Sequence, residues 1–334
     1  MKKSLILLSI LASTTAYAGS IDYLAEQDAE YFAHPSMIGK IGTSAAFYNP
    51  AGTVFMEDGT YFKINSQTVF KNYKMETNYS SIENGGTHES DHPSALVPSI
   101  QYVSKKGNRS YFIHSGVAAG GGALKYEGGL SAFEVIGEHI QEKAISGSFG
   151  NYPNSTITYL DSPETIGSSY YINTNFGMAQ KLTPKFSVGG AIRFIYATRN
   201  LDCTANYNFA LDGKSSDTQN LKVQLDSERT AYGVGGVLGF DYKATDKLNI
   251  GFKYESEVEL YFESEKGQSG LTVTSSTISG NDSLDSAICA GIKNNLLDEK
   301  VISEWTDKER RNLPATMSLG LSYEIGRASC RERV

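Results

Sequence analysis

The sequence predicts an all-β protein, a transmembrane antiparallel β-barrel with a separate segment on its N-terminal side. Three observations carry this. Residues 248–262 alternate throughout: Leu248, Ile250, Phe252, Tyr254, Val258, Leu260 and Phe262 on one face, with Ser256 as the exception, and mostly polar or small residues, including Lys253, Glu255, Glu257 and Glu259, on the other. A strand in a soluble sheet usually runs about 5–6 residues. A tilted strand that crosses a bilayer needs about 9–11, one face to lipid and the other to a polar lumen. Second, Lys2 and Lys3 precede an apolar stretch over residues 5–11, and Ala16-Tyr17-Ala18 has the small-residue pattern of a cleavage site. Residues 1–18 therefore read as a secretory signal peptide and the mature chain as starting at Gly19. Third, no later run reaches the roughly 18 apolar residues of a membrane helix. A secreted chain without one can cross lipid only as a closed barrel, because open sheet edges are not tolerated there. The 40% hydrophobic content, 33 glycines and 21 tyrosines suit a wall in which alternate residues meet lipid between aromatic girdles.

Taken in order, residues 19–59 do not alternate and read as a segment that either hangs in the periplasm or fills the lumen. Strands follow at residues 60–70, 96–104 and 110–117, the last two joined by the tight turn Lys105-Lys106-Gly107-Asn108. Residues 169–182 and 186–198 meet at Thr183-Pro184-Lys185, and residues 230–243 and 248–262 meet at Ala244-Thr245-Asp246. An eighth strand begins over residues 315–324. Between these pairs lie long polar stretches at residues 71–95, 118–168, 199–229 and 263–314. Short turns at one rim and long loops at the other are the pattern of outer-membrane barrels. A β-sandwich spaces its turns more evenly. Two of the long loops carry helical spacing: Leu130, Phe133, Ile136, Ile140 and Ala144, then Leu284, Ile288, Ile292, Leu296 and Val301. Each reads as an amphipathic helix outside the wall, either packing the loops together or forming a hydrophobic capture groove.

The formal charge of −7 offers no basic patch and argues against a nucleic-acid partner. Cys203 and Cys289 fall in the long loops, either paired or as free thiols. His88-Glu89-Ser90-Asp91-His92 matches a zinc-protease pattern that requires a helix, but Gly85-Gly86 before it and Pro93 after it deny one. Nothing resembles a nucleophile elbow or a phosphate loop. No enzymatic activity, metal or cofactor is expected.

Five motifs resemble one family in its order. Gly42-Thr43-Ser44-Ala45-Ala46-Phe47-Tyr48-Asn49-Pro50-Ala51-Gly52 is similar to the Asn-Pro-Ala-Gly segment of bacterial outer-membrane long-chain fatty-acid and hydrophobic-compound transporters (the FadL and TodX type). Leu96-Val97-Pro98-Ser99, Lys185-Phe186-Ser187-Val188-Gly189-Gly190, Lys247-Leu248-Asn249-Ile250-Gly251-Phe252-Lys253-Tyr254 and Leu313-Pro314-Ala315-Thr316-Met317-Ser318-Leu319-Gly320 follow the same family pattern. The resemblance implies a fourteen-stranded barrel in the outer membrane and an N-terminal hatch over residues 19–59 in the lumen. It also implies passive uptake of a long-chain fatty acid or other apolar small molecule by a monomer surrounded by outer-membrane lipid. Asn49, Pro50 and Ala51 would belong to the hatch, beside an inward kink in the third strand. Here that strand ends in Gly120, Gly121 and Gly122, which permit bulges; they would open the wall to lipid, or form only a flexible strand end. Arg193 on the lumen face and Arg199 above it are candidates for an anionic headgroup or for pairing with lumen carboxylates. Only about eight strands are present over residues 60–324. Residues 325–334 resemble a translated sequencing-adapter oligonucleotide, so the expectation is a chain short of its last strands. A nonspecific porin, or a structural barrel with partner-binding loops, is the competing reading.

Overall fold

The computed structural model describes residues 28–33, 36–76, 87–148, 150–162, 164–212, 219–299, 301–302 and 307–324. Residues 1–18, read above as a signal peptide, most of the loop on the N-terminal side of His88–His92 and residues 325–334 lie outside them. Two short helices, α1 (Ala29–Ala33) and α2 (Ala45–Tyr48), and a 3-10 turn (Pro50–Phe55) precede the sheet. The strands are β1 (Gly59–Val69), β2 (Tyr73–Glu76), β3 (Thr87–Ser90), β4 (Ser94–Lys106), β5 (Arg109–Glu127), β6 (Thr156–Asp161) and β7 (Glu164–Lys181). They continue as β8 (Phe186–Ala210), β9 (Leu221–Lys243), β10 (Leu248–Glu255), β11 (Tyr261–Ser264), β12 (Leu271–Ser275), β13 (Glu309–Arg310) and β14 (Thr316–Tyr323). Helix α3 (Ala132–Ser146) follows β5, and α4 (Asp282–Asp298) follows β12.

The main sheet is antiparallel, in the order β1-β4-β5-β7-β8-β9-β10-β14, and its two edges, β1 and β14, do not pair with each other. All eight strands expected from the alternation are present, neighbours in sequence order. Gly107, at φ +59°, supplies the left-handed residue of the β4–β5 turn. No helix among the described residues is long and apolar enough to cross a membrane.

The sheet's two faces are inverted relative to a soluble protein. Along β8, Phe186, Ile192, Phe194 and Tyr196 point outward, while Ser187, Arg193 and Ile195 are buried on the inner side. On β9, Tyr232 is 74% and Val234 62% exposed, whereas Asp241 is fully buried. On β10, Asn249, Gly251, Lys253 and Glu255 all face inward. The outward apolar band from Phe186 to Tyr196 covers about ten steps of roughly 3.3 Å, and a tilt of about 40° makes it roughly 25 Å tall. Above it the outward residues of β8 and β9 turn polar, with Thr198, Asn200, Thr230 and Glu228.

Strands β5, β8 and β9 outrun their expected ends, and an apolar core sits on the upper parts of β8 and β9. Cys203, Tyr207, Phe209, Leu221, Leu225 and Leu271 pack there against Phe133 and Ile140 of α3 and Ile288 and Ile292 of α4. Gly147, at φ +86°, ends α3. The Asn281 side chain accepts from the Ser283 and Leu284 amides and starts α4. The two helices therefore pack the loops together, and His139 bridges them to Asn295. Cys203 and Cys289 are both buried and free; burial pushes the Cys203 thiol up to about 11 and raises Cys289 as well. The histidine pattern is not helical at its start: His88, Glu89 and Ser90 belong to strand β3.

One element departs from the sequence expectation in kind, not only in length. Residues 248–262 are not a single strand. β10 ends at Glu255, and the chain rejoins β9 only at Glu263↔Thr230. The intervening segment holds one residue more than the facing stretch of β9, which reverses the faces. Val258, Leu260 and Phe262 become fully buried, while Glu257 and Glu259 turn outward instead of into the lumen. Gly233 and Gly235 make this feasible: a Cβ on Gly233 would lie 2.4 Å from Val258 Cγ1.

Candidate functional site

The inner face is layered. At the tight-turn rim, residues 36–56 lie on a seat of glycines contributed by neighbouring strands. A Cβ on Gly251 would lie 2.1 Å from the Ile38 carbonyl oxygen, one on Gly320 2.7 Å from Ile38 Cβ, and one on Gly189 2.8 Å from the Ala51 nitrogen. Asn49 Nδ2 donates to the Phe240 carbonyl at 3.1 Å and to Asp241 Oδ2 at 2.9 Å. Asn249 donates to the same carboxylate at 3.0 Å. Ser187 Oγ donates to the Ala51 carbonyl, Lys253 Nζ to the Phe47 carbonyl, and Thr53 meets Ser110 at 2.6 Å. The N-terminal end is tied to β1, where Lys63 Nζ donates to Asp28 at 2.8 Å, to Glu30 at 2.9 Å and to Ser44 at 2.8 Å. Burial opposes ionisation of Glu30, but hydrogen bonds from Lys40, Lys63 and Ser44 outweigh it and hold the carboxyl at about 2.

Asn49, Pro50 and Ala51 are thus brought together with β8, β9 and β10, not with the kink in β5. Register carries Gly189 to Ala179 and Ala179 to Ser110. The motif therefore sits level with the start of β5, while Gly120 lies about ten residues, or roughly 30 Å, further along that strand. Gly189, Gly251, Gly320 and Gly239, whose Cβ would lie 2.6 Å from Asn49 Oδ1, explain the position: only there can the backbone of this segment approach the wall so closely.

Above the seat runs a polar belt. Lys63, Gln101, His114, Asn175 and Arg193 are directly opposite one another across β1, β4, β5, β7 and β8. Arg193 Nε donates to Asn173 Oδ1 at 3.3 Å, and Lys253 lies 3.4 Å from Glu255. Both ends of Gln101, both nitrogens of His114, Asn173 Nδ2 and Asn175 Oδ1 are buried with no hydrogen-bond partner among the described residues. Buried polar atoms of this kind call for water or the polar end of a ligand.

The next layer is apolar. Ala119, Tyr171, Ile195, Ala197, Ala231 and the inverted Val258, Leu260 and Phe262 form one cluster. The β4–β5 ladder stops at this level, with Ser99↔Gly116 as its last pair, although both strands continue. Pro98, the next residue of β4, has no N–H to offer. β5 meanwhile keeps pairing with β7 through two bulges, between Val117 and Ala119 and between Ala119 and Gly122. Gly120 (φ +110°) and Gly122 (φ +66°) adopt backbone that side chains disfavour, and a Cβ on Gly120 would lie 2.2 Å from the Ser169 carbonyl. Gly121 lies within the second bulge. The β4–β5 hydrogen-bond ladder is therefore interrupted beside the apolar layer.

Above that layer, Arg199 and fully buried Arg229 both bond Glu309 Oε2, at 3.1 and 2.9 Å. Burial opposes ionisation of Glu309, yet bonds from Arg311 and Arg229 lower its pKa. Arg199 thus engages a carboxylate, while Arg193 sits in the belt. No cluster of His, Cys, Asp or Glu suited to a metal occurs among the described residues.

No family model and no curated protein matches the chain. Solved structures do. The Pseudomonas putida toluene transporter TodX is 16% identical, at a TM-score of 0.46, over 85% of this chain and 62% of its own. The Ralstonia pickettii toluene transporter TbuX is 15% identical, at a TM-score of 0.48, over 85% and 64%. A Pseudomonas aeruginosa FadL homologue is 13% identical, at a TM-score of 0.44, over 87% and 65%. The chain spans about 62–65% of the length of these structures.

Gln101, His114, Asn173, Asn175 and Lys253 were not singled out by sequence. Their signal was the inward phase of each strand, which becomes a belt only when the strands are in register.

Proposed function

We propose that the protein is a passive outer-membrane channel for hydrophobic compounds, long-chain fatty acids among them, and that the ligand leaves sideways between β4 and β5. One observation carries this reading: the ladder break lies beside the apolar layer, directly above a belt of buried polar groups. An apolar chain is stable in the layer and unstable in the belt, since burying polar groups without partners costs about 1–3 kcal/mol each. The low-energy way out is through the wall. The outward apolar face on all eight strands supports a lipid surround.

Residues 28–56 act in this reading as a hatch that blocks straight passage. Gly120, Gly121 and Gly122 hold the opening, and Arg193 takes a carboxylate head, supplemented by the free donors of Gln101 and Asn173. Arg199 serves the layer above through Glu309. A nonspecific porin needs a water-filled path, and the seated segment opposes one.

Uptake of radiolabelled oleate and of a hydrocarbon by expressing cells tests this assignment. Arg193→Gln is expected to slow oleate and leave the hydrocarbon unchanged. Equal passage of small hydrophilic solutes in place of both would favour a porin.

A further inference from the structure

The face reversal at Ser256–Phe262 has a second consequence, on the membrane side of the wall. Where the chain dips beneath β9, the edge of β9 over residues 231–236 is left without a continuous ladder. A cavity of about 710 Å³ occupies the dent, within the size range of small-molecule sites. Its walls are the outward side chains of β7, β8 and β9, namely Ile172, Phe194 and Val234, with the rings of Tyr196 and Tyr232. Its floor is Glu257, Glu259 and Tyr261. The site lies at the upper limit of the apolar band, so a ligand can hold its tail in hydrocarbon and its head at the interface.

Charge decides what that head is. Two carboxylates face the cavity and no cationic residue lines it. Arg310, outside the lining, is 2.7 Å from Glu259 and 3.9 Å from Glu257, and Asn312 donates to Glu257. Lys308, 5.3 Å over the Tyr261 ring, pairs with Glu263, so three carboxylates face two cations and the floor is net negative. The rings of Tyr196 and Tyr232 add electron-rich faces that attract ammonium groups, while Tyr261 already meets Lys308 and Arg310 at 5.3 and 5.7 Å.

We propose that this dent binds a lipophilic cation, an amine or quaternary ammonium carrying an alkyl chain. The head sits over Glu257 and Glu259 beside Tyr196 and Tyr232, and the chain lies along Ile172, Phe194 and Val234. The site is separate from the β4–β5 opening and does not depend on the transport reading. Its sequence basis is Gly233 and Gly235, which admit the dip.

The test is equilibrium binding of radiolabelled dodecyltrimethylammonium, dodecanol and dodecanoate to the protein in lipid nanodiscs. Saturable binding of the cation, at least about tenfold tighter than the anion, is expected. Glu257→Gln with Glu259→Gln should weaken the cation about tenfold or more and leave dodecanol unchanged. Both positions are exposed, so the double variant should fold; Asp246→Asn, in the exposed β9–β10 turn away from the cavity, is the control and should bind like wild type. Equal affinity for cation and anion, absence of saturable cation binding, or an unaltered double-glutamine variant would each overturn the proposal.

Discussion

Gly251→Ala should unseat the N-terminal segment without touching the segment itself. The added Cβ would lie 2.1 Å from the Ile38 carbonyl oxygen, and ordinary contact begins near 3.4 Å. The segment must therefore retreat by about 1.3 Å. Asn49 Nδ2 sits 2.9 Å from Asp241 Oδ2 and 3.1 Å from the Phe240 carbonyl, so a retreat of that size breaks both bonds. A hydrogen bond to a charged group is worth about 1.5–3 kcal/mol and a neutral one about 1 kcal/mol. The seat should weaken by roughly 2–4 kcal/mol, or about 30- to 1,000-fold in its opening equilibrium. Hydrogen exchange of a peptide covering residues 36–56 reads this directly. Gly236→Ala is the control, since nothing lies within 4 Å of a Cβ there. Unchanged protection of residues 36–56 in the Gly251→Ala protein would refute the seat as described.

Three further outcomes follow. Because Glu30 is held at about 2, its ties to Lys40 and Lys63 stabilise the segment above about pH 4.5 and weaken as pH falls from there toward 2; a spin label at Ser36→Cys should gain mobility over that window, and Glu30→Gln should abolish the pH dependence. Gly120→Ala, at φ +110° and with its Cβ 2.2 Å from the Ser169 carbonyl, should cost about 1–3 kcal/mol, seen as a lower yield of folded protein than Gly236→Ala gives; equal yields would show that the bulge is not strained. Glu309→Gln takes the charged partner from fully buried Arg229 and from Arg199; a loss of about 2–3 kcal/mol should lower the thermal midpoint, and an unchanged midpoint would mean that the arginines are held otherwise.

The eight wall strands were legible because alternation and turn chemistry are local. Thr183-Pro184-Lys185 and Ala244-Thr245-Asp246 mark their hairpins without reference to anything distant. The bulges at Gly120, Gly121 and Gly122 were legible for the same reason. The reversal after Glu255 was not, since the alternation runs unbroken to Phe262 and only Gly233 and Gly235, on another strand, allow Val258 to turn inward. Placing Asn49 required the register of four strands, which brings Gly189, Gly239, Gly251 and Gly320 into one surface. Arg199 could not be matched to Glu309 in sequence, the two being 110 residues apart. The upper extensions of β8 and β9 depend likewise on α3 and α4 covering residues such as Tyr207 and Leu221.

The central claim is that ligand leaves through the gap between β4 and β5. Their last pair is Ser99↔Gly116, so Pro98 and Val117 would be opposite one another if the ladder continued. Pro98→Cys with Val117→Cys places a thiol on each side of the gap, and oxidation would zip it closed. Cells carrying this pair should take up oleate when reduced, lose uptake on oxidation, and regain it with reductant. Oleate uptake that stays unchanged once the disulfide has formed would contradict the lateral route.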